Sequence, residues 1–182
     1  MHNVLPASYA NRLFDSIPVS YYWITLSIFI VVTLILVSRY GLTRGLKWGM
    51  SMLLAEYVFL LFCSTIFFRR TLRTIRFNAI PFKTYKEILC GSDFLLSQCI
   101  MNVLVFIPIG MLLGVIAKRF RYVLFIGVLL SFFIELLQLA FSKGFCEIDD
   151  VIHNTLGCIL GFCLYRLGSR CFWIPKRRGG ML

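Results

Sequence analysis

Five polar side chains stand inside long apolar stretches of the sequence: Asn102, Glu135, Gln138, Asp150 and Asn154. A charge or an amide in such surroundings costs about 2–3 kcal/mol on entering a bilayer, so each group needs a partner or a function. Two carboxylates whose environments separate their pKa values can serve as acid and base, and amides can hydrogen-bond a headgroup. The sequence therefore predicts a polar site, with Glu135 and Asp150 as its catalytic pair if the chain is an enzyme.

The spacing of these residues assigns them to helix faces. Steps of four, three and four residues place one polar stripe on a single face: Ser131, Glu135, Gln138 and Ser142. The same steps define a face at the start of the next helix: Asp150, Asn154, Gly157 and Gly161. We expect His153 slightly to the side of this second face, and Gly127 on a different face of its helix from Glu135.

The polar groups are predicted near one membrane face, because they begin the third apolar helix, end the fourth and begin the fifth. Two interpretations follow. In the first, the groups only hold the three helices together through hydrogen bonds, with one carboxyl protonated. In the second, they form a binding pocket or a catalytic centre. The predicted binding residues of such a pocket are Arg76, Asn78, Asn102, Gln138, His153 and Asn154.

The composition identifies the surroundings of this site. Of 182 residues, 59% are hydrophobic and 15% are charged, and the mean hydropathy is +0.85. Too few polar residues remain to cover a water-facing surface, which excludes a soluble nucleic-acid-binding domain and indicates burial in lipid. The net charge of +11 then indicates contact with an anionic membrane surface, and nucleic acid is not an expected partner.

Five apolar runs approach the roughly 20 residues that a helix needs to cross the hydrocarbon layer. They span residues 21–38, 48–68, 97–117, 122–141 and 151–167. Each must satisfy its own backbone hydrogen bonds in lipid, so the predicted fold class is an all-α polytopic membrane protein with about five transmembrane helices. The predicted organisation is an N-terminal segment (1–20), two membrane helices (21–68), a connection with three membrane helices (69–169) and a basic cytoplasmic tail (170–182).

The long connection before the third helix, 69–96, mixes basic and apolar residues. It either lies along the headgroups with Phe77, Ile80 and Phe82 turned inward, or forms a lid over the polar site. The orientation is predicted from the cations, because eleven of the 19 Lys and Arg residues fall on the side of the C-terminus and eight on the opposite side. This bias favours an N-terminus outside the cell membrane and a cytoplasmic C-terminus.

Small residues and a proline predict close contacts between helices. Gly110 and Gly114, four residues apart in the third run, are predicted to pack against Gly157 and Gly161 in the fifth. Pro108 removes a backbone donor and frees a carbonyl near position 104, which a neighbouring group must satisfy. The seven cysteines lack the spacing of zinc ligands, and we predict neither a metal nor another cofactor.

Four segments resemble the VanZ-like membrane family, in the order of that family: NAIPF (78–82), NVLVFIPIGMLLG (102–114), SFFIELLQ (131–138) and EIDDVIHNTLGCILG (147–161). The residues that the resemblance implicates are Asn78, Pro81, Phe82, Asn102, Phe106, Pro108, Gly110, Glu135, Gln138, Asp150, Asn154, Gly157 and Gly161. Glu147 stands where the family usually has Asp, Asp149 adds a charge, and His153 is outside the pattern. The resemblance implies a cell-envelope protein with a role in glycopeptide resistance, to teicoplanin rather than vancomycin.

Three functions are compatible with these residues. A non-enzymatic protein would bind an amphiphile among the lipids of the outer leaflet, either a lipoglycopeptide or a lipid-linked cell-wall precursor. A membrane-embedded hydrolase or transferase would act on a lipid through Glu135 and Asp150. A transporter would need several copies of the chain, because five helices rarely enclose a path with alternating access. Binding is favoured because the sequence has neither a nucleophile elbow nor an HExxH motif. The oligomeric state stays open.

Overall fold

The computed structural model describes residues 19–67, 77–78, 80–144 and 146–171. These ranges contain six α-helices: α1 (Val19–Tyr40), α2 (Leu42–Phe62), α3 (Lys83–Leu89), α4 (Asp93–Ala117), α5 (Phe120–Ala140) and α6 (Ile148–Cys171). A π-helical turn, Cys63–Phe67, extends α2. Two short strands, β1 (Phe77–Asn78) and β2 (Cys146–Glu147), pair in parallel. This pairing joins the connection before α3 to the turn between α5 and α6.

Four helical segments in the described ranges are long and apolar enough to cross a bilayer: Arg44–Ile66, Asp93–Ala117, Phe120–Ala140 and Ile148–Arg170. The first predicted run, 21–38, lies in α1, whose segment Ile24–Tyr40 is apolar but shorter. Large apolar side chains are exposed on the outer faces of the helices, for example Leu34 at 64% and Phe125 at 66%. Lipid is the environment that such surfaces require. The predicted all-α polytopic membrane fold is confirmed.

The core is built around α4, which contacts α2, α5 and α6 and has its most extensive interface with α6. Ile109 on α4, Val123 on α5 and Cys158 on α6 are fully buried where these three helices meet. Helix α1 packs on α2, away from this centre. The packing of α4, α5 and α6 fixes the ends of these helices relative to one another, and the polar residues lie at one of these ends.

The predicted close contact of α4 with α6 at Gly110, Gly157 and Gly161 is confirmed, whereas Gly114 packs on Tyr165 and not on a glycine. The three glycines Gly110, Gly157 and Gly161 each lie against a backbone carbonyl of the opposite helix, those of Cys158, Val103 and Ile107 respectively. A Cβ at any of these positions would overlap that carbonyl oxygen. At Gly114, a Cβ would lie 2.6 Å from the ring of Tyr165. The two backbones therefore approach as closely as small-residue packing in membranes allows.

The prediction that Gly127 lies on a different face of α5 from Glu135 is wrong. Gly127, Ser131 and Glu135 are all buried on the side of α5 that faces α6, and a Cβ at Gly127 would lie 3.0 Å from Cys158 Cβ. The reason is helical geometry, since two steps of four residues turn the direction by only about 80°. Gly127 is thus part of the packed core.

The region of α4 before Pro108 receives a hydrogen bond from a neighbouring helix. The hydroxyl of Tyr57 on α2 donates to the carbonyl oxygen of Val105 at 2.9 Å. Val105 is next to the position whose carbonyl loses its donor when residue 108 is proline. The proline turn is therefore stabilised by a side chain from α2, as expected for a proline inside a membrane helix.

Candidate functional site

The amide of Asn102 on α4 and the carboxylate of Asp150 on α6 meet at one end of the bundle. Asn102 Nδ2 donates to Asp150 Oδ1 at 2.8 Å. The Asp150 side chain is 25% exposed, so it is reachable from outside the protein. The sequence predicted that these two residues lie at the same membrane face, and the structure brings them into direct contact. A carboxylate held by an amide and open on one side can accept hydrogen bonds from a ligand.

A second pair, Asn154 and Ser131, lies deeper in the bundle. Asn154 Nδ2 donates to Ser131 Oγ at 2.8 Å, and both residues are buried. Asn154 Oδ1 is buried without a hydrogen-bond partner in the described part of the chain. This contact joins α6 to α5, and we assign it to helix association, the first of the two interpretations of the polar residues.

Glu135 and Gln138 are also buried, at 3% and 5% exposure. Glu135 Oε2 accepts a hydrogen bond from the backbone N–H of Glu147 at 3.3 Å, which ties α5 to β2. The backbone carbonyl of Gln138 accepts from the N–H of Lys143 at 2.8 Å and closes the end of α5. These two predicted site residues therefore support the turn that leads into α6.

His153 is turned inward and is 3% exposed. Its Nε2 lies 2.8 Å from the hydroxyl of Tyr85 on α3, and its Nδ1 lies 4.0 Å from Asp150 Oδ1. In the arrangement where the Tyr85 hydroxyl donates to Nε2, the proton on Nδ1 faces Asp150. His153 thus links the exposed face of α3 to the carboxylate of Asp150.

Asp149, which sequence reasoning treated only as an added charge, anchors α3 on α6. It is 1% exposed, and its two carboxylate oxygens accept hydrogen bonds from the backbone N–H groups of Phe82, at 2.6 Å, and Thr84, at 3.0 Å. Phe82 has a φ of 63°, a left-handed conformation that costs a side-chain-bearing residue energy. We name this arrangement the Asp149 clasp: Asp149 with the N–H groups of Phe82 and Thr84. It supplies acceptors to the start of α3 from another helix.

Tyr85 and Thr84 are the other residues that sequence reasoning missed. Both lie on α3, inside the connection that was expected either to lie along the headgroups or to cover the polar site. The contacts of α3 with Asp149 and His153 place it directly over the start of α6. The signal available in the sequence was a tyrosine within a short helix-forming segment, KTYKEIL, immediately after the NAIPF motif.

Two predicted binding residues cannot be compared with their predicted role. Arg76 lies outside the described residues, and of Asn78 the structure describes the backbone, which pairs with Glu147 in the two-stranded sheet. Within the described ranges, no group of three or more His, Cys, Asp and Glu side chains is arranged to hold a metal ion.

The charges and the burial at this end of the bundle shift the pKa of Glu147, which precedes the membrane-spanning part of α6. Burial, together with the negative charges of Asp150, Asp149 and Glu87, raises the pKa of the Glu147 carboxyl to about 7, while Lys83 opposes the shift. The group is therefore close to half protonated at neutral pH. Four acidic side chains from three elements share one region.

The raised pKa of Glu147 makes the stability of the protein fall as pH rises. The folded state binds this proton more tightly than the unfolded state, whose pKa is near 4.5, so stability declines between about pH 4.5 and 7. We expect Glu147→Gln to stabilise the protein at pH 8 by about 1–3 kcal/mol after solvent screening, and to change little at pH 4.5. Thermal unfolding across this range measures the effect, with Asp93→Asn, on an exposed side chain at the start of α4, as control. Equal gains at both pH values would contradict it.

The fold and the polar cluster together define a polytopic α-helical membrane protein with a hydrogen-bonded polar site at one end of its helix bundle. The family described as VanZ/LLP1 matches residues 48–169, which include α3, α4, α5, α6 up to residue 169 and every described site residue. The chain belongs to this family, and the expected VanZ-like membership is confirmed.

The comparison with curated proteins gives a relative within this family. Protein VanZ of Enterococcus faecium is 40% identical over 79 residues, which are 40% of this chain and 47% of that protein. The chain thus spans about half the length of the curated relative that it matches. No solved structure matches the chain significantly.

Proposed function

We propose that this protein binds the polar headgroup of an amphiphile at the outer leaflet, and that it contributes in this way to glycopeptide resistance, specifically to teicoplanin. The amphiphile is a lipoglycopeptide or a lipid-linked cell-wall precursor. One observation carries the proposal: the partly exposed carboxylate of Asp150 is held by Asn102 at the end of a lipid-facing bundle, beside the exposed α3. A ligand there has its apolar part in lipid and its polar part at the site.

The surroundings of Asp150 support this placement. Ile80 and Phe82, on the segment that leads into α3, are 65% and 59% exposed, and Leu89 at the end of α3 is 87% exposed. Such side chains at a membrane surface insert among the lipid chains. The polar site therefore lies beside an apolar surface at headgroup depth, and an amphiphile can contact both at once.

A membrane-embedded hydrolase or transferase is the second candidate. The observation in its favour is the difference between the two carboxylates, since Glu135 is buried at 3% exposure while the Asp150 side chain is 25% exposed. Different environments separate acid from base in known carboxylate pairs. Against it, Glu135 Oε2 already accepts a backbone hydrogen bond, which gives this residue a structural task.

Binding at the outer leaflet requires that the α3 side of the protein is extracytoplasmic. We expect a cysteine that replaces the exposed Lys83 to react with an impermeant thiol reagent in intact cells, in a chain lacking its native cysteines. A cysteine at Lys118, exposed at the opposite end of α4, is expected to react only after the cells are opened. The opposite pattern would invert the orientation and place the site at the inner leaflet.

The amide variants Glu135→Gln and Asp150→Asn test the site itself. Both keep the shape of the side chain and an acceptor for the observed hydrogen bond, so we expect each protein to remain folded. Asp150→Asn is expected to weaken ligand binding about tenfold or more, because a charged hydrogen bond contributes about 1.5–3 kcal/mol. Teicoplanin susceptibility of cells and ligand binding in nanodiscs measure this, with Asp93→Asn as the matched exposed control.

The two amide variants also separate the two candidate functions. A binder loses affinity in Asp150→Asn and keeps it in Glu135→Gln, whereas an enzyme loses product formation in both. Full resistance and unchanged binding in a folded double variant would show that the two carboxylates serve only to associate helices.

A further inference from the structure

The open side of the polar site presents more hydrogen-bond acceptors than donors. We name this group the acceptor subsite: Tyr85, Asn102 and Asp150, with the ring of Phe82 beside that of Tyr85. Asn102 Nδ2 donates to Asp150 Oδ1, so one amide donor of the subsite is occupied. The remaining oxygen of Asp150 has no donor among the described residues, and neither has Asn102 Oδ1.

His153 extends this arrangement to Tyr85. The imidazole is 3% exposed, and its Nδ1 is buried without a hydrogen-bond partner in the described ranges, 4.0 Å from Asp150 Oδ1. The tautomer with a proton on Nδ1 directs that proton to the carboxylate and leaves Nε2 as the acceptor of the Tyr85 hydroxyl. In this tautomer the lone pairs of Tyr85 Oη stay free to accept, because the hydroxyl proton points toward His153. The proposal uses this arrangement, in which Tyr85 is an acceptor toward a ligand.

Two exposed aromatic rings lie next to each other at Tyr85. Phe82 and Tyr85 are 59% and 39% exposed, and their ring centroids are 5.9 Å apart at an angle of 47°. The Asp149 clasp holds the backbone of Phe82 and so fixes the position from which its ring projects. Exposed rings of this kind pack against apolar C–H surfaces of a ligand, at low cost in conformational entropy.

The charge around the subsite determines which ligand these groups suit. The nearby Asp149, Glu147 and Glu87 are acidic, and Lys83 lies 3.9 Å from Glu87. A phosphate beside Asp150 would meet these negative charges, so this part of the site disfavours it. A ligand must instead bring several donors together with an apolar face that covers the rings.

We propose that the acceptor subsite binds a sugar, whose hydroxyl groups donate to Asp150, Asn102 and Tyr85 and whose C–H face packs on Phe82 and Tyr85. This inference rests on the proposed function, because it names the chemical class of the headgroup that the site recognises. The sugar belongs either to a glycopeptide or to a lipid-linked precursor, since both present the same hydroxyl chemistry. An ammonium headgroup also suits the acidic surroundings, so the experiment compares it directly with a sugar.

The test uses the full chain in phosphatidylglycerol nanodiscs and three probes with one common chain: dodecyl glucoside, dodecanol and dodecylammonium. Calorimetric titration is expected to show that the glucoside binds about tenfold more tightly than dodecanol. Asp150→Asn turns one outward acceptor into a donor and is expected to remove this difference, while dodecanol binding stays unchanged. Stronger binding of dodecylammonium than of the glucoside, or an Asp150→Asn variant that keeps the glucoside preference, would overturn the proposal.

Tyr85→Phe provides a second variant, because it keeps the ring and removes the hydroxyl. It is expected to weaken glucoside binding about threefold to tenfold. If the loss of the hydrogen bond to His153 unfolds the Tyr85→Phe variant, Asp150→Asn alone tests the sugar proposal, because it keeps its contact with Asn102. Asp93→Asn, on an exposed side chain at the start of α4 outside the subsite, is the control and is expected to bind every probe as the native chain does.

Two further ligand pairs identify the source of the sugar and separate this inference from the proposed function. Teicoplanin is compared with its sugar-free aglycone, and a glycosylated prenyl phosphate with the unglycosylated one. A preference for the glycosylated member of a pair that Asp150→Asn removes supports the inference and names the source. Equal binding of both members in each pair refutes the recognition of a sugar and leaves the proposed function standing. Absence of binding to all amphiphiles refutes both the sugar recognition and the proposed function.

Discussion

Gly157→Ala is expected to disrupt the packing of α4 against α6, whereas Gly168→Ala, on the same helix, is expected to leave the fold intact. A Cβ at Gly157 would overlap the carbonyl oxygen of Val103, and it would lie 2.8 Å from Phe106 Cβ. A backbone carbonyl cannot move aside without moving α4, so the cost should exceed the roughly 1–3 kcal/mol usual for overpacking. A Cβ at Gly168 meets nothing within 4 Å, and alanine there favours the helix by up to about 1 kcal/mol.

Thermal unfolding in detergent and yield from membranes measure this difference. Gly127→Ala provides an intermediate case, because its Cβ would lie 3.0 Å from the side-chain atoms of Cys158, which can shift more easily than a backbone carbonyl. The expected order of stability is Gly168→Ala, then Gly127→Ala, then Gly157→Ala. Equal melting of the Gly157 and Gly168 variants would show that α4 and α6 do not approach as closely as described.

The helices and the closest helix contact could be predicted from the sequence because the bilayer sets strict conditions. A run such as 97–117 must be helical to satisfy its backbone in lipid, and it lies within α4. Gly110 and Gly157 could be paired in advance because small residues at steps of four permit close approach, and few other residues do. These predictions depended on local rules that hold wherever a helix is surrounded by lipid.

The contacts of α3 could not be predicted in the same way. Asp149 binds the backbone of Phe82, 67 positions away in the sequence, and His153 binds Tyr85, 68 positions away. A seven-residue helix has too short a pattern to show which face it buries, so nothing local indicates its partner. The hydrogen bonds that hold it run largely through backbone N–H groups, which every sequence has.

Within the polar site, some features could be predicted from the sequence and others could not. Convergence of Asn102 and Asp150 followed from their positions near the starts of the third and fifth apolar runs, and the structure joins them at 2.8 Å. The sequence did not indicate which residues hold helices together and which can meet a ligand. Burial decides this, because it separates the deep Ser131 and Asn154 pair from the partly exposed Asp150. Residue type and spacing identify polar groups that need partners, whereas depth decides which of them a ligand can reach.

Asp149→Asn is expected to detach α3 from α6 and to lower the free energy of unfolding of the protein by about 2–4 kcal/mol. The carboxylate is 1% exposed and receives one backbone N–H on each oxygen, from Phe82 and from Thr84. An asparagine offers one acceptor oxygen, and its amide group would face the second N–H, which leaves a buried donor without a partner. The left-handed Phe82 then loses the interaction that holds it.

The matched control is Glu87→Gln, which makes the same change from acid to amide on an exposed side chain of α3 and is expected to cost less than about 1 kcal/mol. Thermal unfolding compares the two variants globally, and limited proteolysis between Lys83 and Leu89 reports whether α3 has separated from the bundle. Because Tyr85 reaches the site only through α3, Asp149→Asn should also weaken headgroup binding although Asp149 is buried. If the two variants melt alike and α3 stays resistant in both, the Asp149 clasp does not position α3, and the connection must be held at the site by other contacts.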